Sequence, residues 1–288
     1  MLPYLMAFAS SAFYGVADFL GGIGARRANV LTVTAWFQIL GVVPLVGYAV
    51  FAPGVTRPDD LAWAALAGAC GGIGVTLLYH ALAIGVVSTA APLVSLVALT
   101  VPVVAGLAGG ERPGWGPLAG IVLGASAVVL VSGGESHGAS DRGDADASAA
   151  RRGLWVAAAA GLLVGFFLVA LARVQPGSSG WPLVAGRLSA SVCLWALVLL
   201  RRAPVVLPAP ARGVMLGGMV TDVTGNILYL LAVQRAPLSL IATLVSLAPA
   251  TTLVLARFVL HERLTTRQRV GVALALVAVV LLSGGAGR

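Results

Sequence analysis

Charged residues are scarce in this chain of 288 residues: Asp, Glu, Lys and Arg together make up 10% of it. A soluble domain carries about a quarter charged residues, which cover its surface. Here 59% of the residues are hydrophobic, and the mean hydropathy is +0.99. The shortage of charge therefore excludes an ordinary soluble fold and predicts a chain that lies in lipid.

Lysine is absent, and all 18 basic residues are arginine. The formal net charge of +8 would suit a protein that binds nucleic acid, but the arginines stand in short segments between apolar runs and form no patch with aromatic residues. We therefore expect membrane lipids as partners and no nucleic acid. The two cysteines, Cys70 and Cys193, each lie within an apolar run, which predicts neither a disulfide framework nor a metal site.

Motifs of membrane-embedded enzymes are also missing. The sequence holds no HExxH pair, no GxSxG elbow and no phosphate-binding glycine loop. Asp59-Asp60 is a lone acidic pair, whereas an enzyme acting on a lipid-linked phosphate would need several carboxylates to hold magnesium. We expect no enzyme activity and no cofactor, with an enzyme acting on a lipid-linked substrate as the alternative.

Ten apolar stretches have the length of about 20 residues that a helix needs to cross the hydrocarbon layer. Turn-forming and charged residues separate them. The expected fold class is all-α integral membrane, with ten transmembrane helices and both termini on one side. The predicted helices cover residues 3–24, 31–52, 61–83, 87–108, 115–133, 153–172, 181–200, 212–233, 237–259 and 266–284.

The chain contains an internal repeat. Ser88–Gly134 aligns with Ser239–Gly285 without a gap, and the identities exceed what apolar composition produces. Because each repeat holds five predicted helices, the second is expected to enter the membrane in the opposite sense. Such inverted repeats are typical of alternating-access transporters of small molecules. The predicted domains are a first five-helix repeat over 1–133, a flexible linker over 134–152 and a second five-helix repeat over 153–288.

Two short motifs precede the last predicted helix of each half: Gly-Glu-Arg-Pro at 110–113 and His-Glu-Arg-Leu at 261–264. With the two repeats, they make the chain resemble the EamA-type transporters of the drug/metabolite transporter superfamily over nearly its whole length. The resemblance implies a multi-pass carrier of the inner or plasma membrane, monomeric or homodimeric, with a cavity lined by the first four helices of each half. It favours export, and secondary transport is expected because the sequence shows no ATP-binding module.

Membrane orientation is predicted in two opposite ways. Eleven arginines follow the odd-numbered predicted helices and five lie on the other side, which by the positive-inside rule places both termini outside. The family resemblance implies cytoplasmic termini instead.

Asp222 lies near the middle of the eighth predicted helix, too far from both ends to reach water. A charge at a helix centre costs about 2.5–3.5 kcal/mol on insertion scales, so such residues are functional candidates. Asn226 and Tyr229 follow on the same helical face, and the repeat places Thr76 and Tyr79 at the corresponding positions of the third helix. Asp222 is expected to bind a cationic group or to take up a proton as coupling ion; a structural ion pair is the alternative.

Five further residues complete the predicted substrate-binding or coupling site. Asp18, with Tyr14 one turn earlier, is a second candidate for proton coupling; the alternative is structural anchoring at the interface by Arg26 or Arg27, two turns further on. Arg187, in the seventh helix, is expected either to neutralise a carboxylate, to bind a substrate carboxylate or to extend toward the interface. Gln38 and Trp36 occupy the related part of the second helix, and a loose superposition of the halves brings Gln38 near Arg187.

Serines and prolines of the fourth and ninth predicted helices give weaker signals. Ser95 and its repeat counterpart Ser246 are expected to bond back to the preceding turn, as hydroxyls in membrane helices usually do. Pro92, Pro102 and Pro249 are expected to interrupt these helices and to free backbone carbonyls.

Overall fold

The computed structural model describes residues 1–83, 87–132, 144–259 and 265–284. Within these ranges the regular structure consists of eleven α-helices, which agrees with the predicted all-α class. In chain order the helices are α1 Leu2–Arg27, α2 Val30–Phe51, α3 Pro58–Ala83, α4 Val87–Ala108, α5 Trp115–Ser132, α6 Asp144–Leu171, α7 Trp181–Leu200, α8 Ala209–Val233, α9 Leu238–Val245, α10 Ala248–Val259 and α11 Thr266–Gly284.

Helix α6 begins earlier than expected. It starts at Asp144, so the part of the predicted flexible linker from residue 144 to 152 is helical. This segment is rich in alanine, the residue with the highest helix propensity, and it continues directly into an apolar run. The rest of the predicted linker, 134–143, lies outside the described residues.

The ninth predicted helix is divided into α9 and α10. The Ser246 N–H donates to the Ala242 carbonyl at 2.9 Å, and the Leu247 N–H donates to the Leu244 carbonyl at 3.2 Å, a tight turn that ends α9. Pro249 follows in the first turn of α10, where a missing N–H is tolerated. The expected interruption therefore occurs here, but α4 runs through Pro92 and Pro102 without a break, which corrects the expectation for the fourth helix.

Among the described residues, seven helical segments are long and apolar enough to cross a membrane, and one of them comprises α9 and α10 together. The fourth and fifth predicted spans contain shorter apolar helices, Leu93–Ala108 and Trp115–Val131, and the tenth corresponds to α11. The count of ten crossings stays a prediction. The seven candidate spans are Leu2–Ala25, Val30–Phe51, Pro58–His80, Gly153–Leu171, Trp181–Leu200, Ala209–Val233 and Leu238–Val259.

Helices from the two halves of the chain pack mainly on each other. Helix α1 packs along α8, and α3 packs along α6, so the first helix of each half lies on the third helix of the other. Helix α2 packs on α7, and α5 packs on α11. The two halves thus enclose a common interior instead of forming separate bundles.

Glycines bring several of these helices into backbone contact. A Cβ at Gly68 of α3 would lie 1.8 Å from the carbonyl oxygen of Gly186 in α7. A Cβ at Gly161 of α6 would lie 2.7 Å from the carbonyl oxygen of Val94 in α4. Close approach at small residues is a common way for membrane helices to associate, because it maximises van der Waals contact. These glycines therefore set the spacing of the helices around the interior.

The connections α2–α3 and α6–α7 are joined at one end of the bundle. Asp60, which is 1% exposed, accepts a hydrogen bond from the Gln175 N–H at 2.9 Å and pairs with Arg57 at 3.5 Å. The Ser179 N–H donates to the Val55 carbonyl at 3.3 Å. Asp60 therefore holds two connections together, and this arrangement explains one member of the acidic pair without invoking bound magnesium.

Candidate functional site

A cavity of about 200 Å³ lies between the two halves; we call it the main cavity. Its described lining residues come from α1 to α4 and from the segment α6 to α10, and helices α5 and α11 contribute none of them. Most of the wall is apolar or glycine, for example Phe167, Leu171 and Gly72. The polar side chains therefore stand out against a background that offers solutes mainly van der Waals contact.

An ion pair between Arg187 and Asp222 lies at the cavity wall. Arg187 Nη2 and Asp222 Oδ2 are 2.5 Å apart, with side-chain exposures of 6% and 20%. Arg187 Nη1 donates to Gln38 Oε1, and Asn226 Nδ2 donates to Asp222 Oδ2 at 3.1 Å. Four predicted site residues, from α2, α7 and α8, thus form one hydrogen-bonded group, which we call the charged cluster.

Glycine at position 41 makes room for the guanidinium. A Cβ at Gly41 of α2 would lie 2.6 Å from Nε of Arg187. The Arg187 side chain therefore points inward between α2 and α8 and does not extend to the membrane interface. Its Nε atom is buried and has no hydrogen-bond partner among the described residues.

Asp18 adds a second carboxylate to the same region. It lines the main cavity, and in the described part of the chain it makes no ion pair or side-chain hydrogen bond. Tyr14, one turn earlier, also lines this cavity, and its hydroxyl is buried without a hydrogen-bond partner among the residues described. Two carboxylates thus line the main cavity: Asp222 has a guanidinium partner, and Asp18 has none among the described residues.

A narrow cavity of about 40 Å³ lies next to the charged cluster; Gly21, Val33 and Tyr79 are among its lining residues. Asp18, Gln38 and Asp222 line both cavities. Along α1 and α2, the narrow cavity is displaced toward the connection between these helices, away from the main cavity. The polar residues therefore form a layer between two spaces.

Tyr79 restricts the narrow cavity. A Cβ at Gly21 would lie 2.3 Å from the Tyr79 hydroxyl oxygen, so the tyrosine lies directly against the backbone of α1. The predicted site residue Tyr79 thus belongs to the narrow cavity and not to the main one.

Tyr229 occupies a different place from the one expected for a substrate ligand. Its side chain is fully buried, its hydroxyl donates to the Leu168 carbonyl at 2.7 Å, and its ring stacks on Phe167. Tyr229 lies on the same helical face as Asp222, but two turns further along α8, where α6 covers that face. The hydrogen bond to α6 satisfies the hydroxyl, so Tyr229 has a packing role in this structure.

Thr76 and Trp36 also lie outside the residues that line the two cavities. The Thr76 hydroxyl donates to the Gly72 carbonyl at 2.8 Å, within its own helix. Trp36 Nε1 donates to the Val205 carbonyl at 2.8 Å, and its ring meets Trp195 edge-on at 5.3 Å. Both polar groups are satisfied by local structure, because their sides of α3 and α2 face neighbouring protein segments.

Ser95 and Ser246 are lining residues that the sequence interpretation assigned to structure. Both border the main cavity, and neither hydroxyl makes a hydrogen bond within the ranges the structure covers. The expected bond back to the preceding turn is therefore absent at both positions. Their identity at equivalent positions of the repeat was the available signal.

The sequence model of the EamA-like transporter family matches residues 1–133 and 151–284. The chain belongs to the EamA-like transporter family. Proteins of this family are membrane transporters and not enzymes, so this EamA-like protein is a multi-pass membrane protein with a transport function. Transport implies a small-molecule substrate and contact with membrane lipids.

One solved structure, described only as the crystal structure of a protein, is similar to this EamA-like protein. The similarity covers 97% of this chain and 95% of the other, with a TM-score of 0.77 and 18% sequence identity. At this identity the likeness concerns the fold alone. No curated protein matches the sequence.

Proposed function

We propose that this EamA-like protein is a secondary carrier that moves a small solute through the main cavity by alternating access. The observation that carries the proposal is the polar layer of Asp18, Gln38 and Asp222, which borders a cavity on each side. A solute held at this layer would be reached from either space after a modest rearrangement of the surrounding helices. Such a site at the meeting of two repeats is typical of secondary transporters.

Ten crossings in two inverted repeats are part of the proposal. The reciprocal packing supports it, because α1 lies on α8 while α6 lies on α3, as a two-fold relation between the halves requires. Reporter fusions placed after each predicted span test the count. We expect both termini on one side of the inner or plasma membrane; termini on opposite sides would contradict the inverted arrangement.

Asp18 is proposed as the residue that binds a proton or the cationic group of the solute. Asp222 already has a cation, Arg187, at 2.5 Å, whereas Asp18 has no such partner among the described residues. An uncompensated carboxylate inside a membrane is costly and is retained where it serves an ion or a substrate. This reverses the order of the two carboxylates that the sequence favoured.

Transport assays in proteoliposomes test the coupling role. A stabilisation screen of the purified protein across metabolite classes selects the solute, since a substrate raises the melting temperature by mass action. We expect an imposed pH gradient to drive accumulation of that solute by the wild type and not by an Asp18→Asn variant. Gradient-driven accumulation that is unchanged in Asp18→Asn would remove this residue from coupling. Export is the proposed direction.

A further inference from the structure

We propose that the main cavity contains a second polar subsite, formed by Ser95, Ser246 and the backbone carbonyl of Val245. Its ligand is an uncharged hydrogen-bond donor of the solute, such as a hydroxyl or an amide N–H. The inference rests on the proposed transport function and specifies the substrate class: a cation with an apolar body that also carries an uncharged donor group. All three residues line the main cavity.

The break between α9 and α10 supplies the carbonyl. In a continuous helix the carbonyl of Val245 would accept a hydrogen bond from the N–H of residue 249. Pro249 has no N–H, so this helical bond is not made. In membrane interiors, broken helices expose carbonyls where a cavity or a ligand satisfies them. Val245 and Pro249 both border the main cavity, which places the break at its wall.

The repeat supplies two hydroxyls. Ser95 and Ser246 occupy equivalent positions, one in α4 and one at the break, and both reach the same cavity. Ala98 stands where the second half has Pro249, so α4 remains continuous, and the carbonyl is freed in the second half only. A polar group that has lost its partner away from water is unfavourable. The arrangement is therefore expected where a ligand or water completes the bonds.

The subsite is built from other residues than the charged cluster. The cluster residues lie on α2, α7 and α8, and Asp18, which is not part of the cluster, lies on α1. The two serines lie on α4 and at the α9–α10 break. Apolar groups such as Phe167 line the cavity as well. The Val245 carbonyl accepts only, and a serine hydroxyl both accepts and donates, so the three groups together favour a donor on the ligand.

Matched amine pairs test the subsite on the purified full chain. The pairs are phenethylamine with tyramine, and hexylamine with 6-aminohexan-1-ol, each differing by one hydroxyl. Affinities are read from the ligand dependence of the melting temperature. We expect at least one hydroxylated member to bind the wild type about 3- to 10-fold more tightly than its parent, the value of one or two hydrogen bonds.

Two variants separate recognition from folding. The Ser95→Ala/Ser246→Ala variant is expected to bind the parent amines as the wild type does and to lose the preference for the hydroxyl. Pro249→Ala, which restores the helical N–H, is expected to reduce the preference, and Pro102→Ala in continuous α4 is the matched control with the preference intact. If the Ser95→Ala/Ser246→Ala variant still binds the hydroxylated amines more tightly than their parents, the subsite is overturned.

Other outcomes distinguish the subsite from the transport site. Equal binding of both members of every pair by the wild type would overturn the subsite. If the amines bind the wild type equally well but no longer bind the Asp18→Asn variant, the subsite is wrong and the proposed role of Asp18 stands. Absence of stabilisation by any amine would overturn both the subsite and the cationic substrate class, whereas flux of another solute would still support a carrier.

Discussion

Replacing Arg187 by methionine removes the one guanidinium of the charged cluster and keeps most of the side-chain volume. Asp222 then loses a partner at 2.5 Å, and Gln38 loses the donor to its Oε1. Removing one member of a buried ion pair costs about 3–5 kcal/mol, because the other charge stays uncompensated. The side chain of Asp222 is 20% exposed, which lowers the cost of leaving its charge unpaired, so we expect the free energy of unfolding to fall by less than this, about 2–3 kcal/mol.

A double-mutant cycle gives the coupling directly. Asp222→Leu alone leaves the Arg187 guanidinium unpaired, whereas the Arg187→Met/Asp222→Leu protein has neither charge. We expect a coupling of about 2 kcal/mol, so that the double variant is more stable than the sum of the single effects implies. Equilibrium unfolding of the purified chain in mixed micelles, followed by helical circular dichroism, measures the four stabilities.

Arg201→Met is the matched control, since Arg201 is exposed at the end of α7. Its stability should equal that of the wild type within error. Additive single effects, or an Arg187→Met protein as stable as the Arg201→Met control, would refute the view that the cluster is held by this ion pair.

Three further replacements test the packing around the site by the same unfolding measurement. Tyr229→Phe should cost about 1 kcal/mol, because the Leu168 carbonyl loses the tyrosine donor and keeps the Ala172 N–H, and should leave solute binding unchanged; loss of binding with intact stability would restore Tyr229 as a ligand. Gly68→Val should prevent the contact with Gly186 and destabilise the fold by at least about 3 kcal/mol, whereas Gly47→Ala, where a Cβ meets open space, should be neutral or stabilising; equal effects would contradict the α3–α7 contact. Asp60→Asn should weaken the joined connections by about 1–2 kcal/mol, and protease cleavage near this end should increase; unchanged cleavage and stability would argue against that joint.

Helix positions could largely be predicted from the sequence. Helices α7 and α11 begin and end at the predicted residues, 181–200 and 266–284, because each coincides with an apolar run bounded by charges or turn formers. Pro249 correctly predicted the division of the ninth helix at Ser246, whereas Pro102 does not break α4. Proline removes one donor in either case, and the surrounding helices decide whether the helix ends.

The candidate site could be predicted only in part. Asp222, Asp18 and Arg187 were found because a charge in an apolar run is costly whatever surrounds it, which is a property of the sequence alone. Periodicity also put Tyr229 on the face of Asp222, but the tertiary structure covers that part of α8 with α6. The ion pair, the lack of a partner for Asp18 among the described residues and the exposure of Ser246 likewise depend on neighbouring helices. Hydropathy and spacing determine where a helix lies in the sequence and which residues share a face. The partner of each side chain depends on the helix that packs against that face.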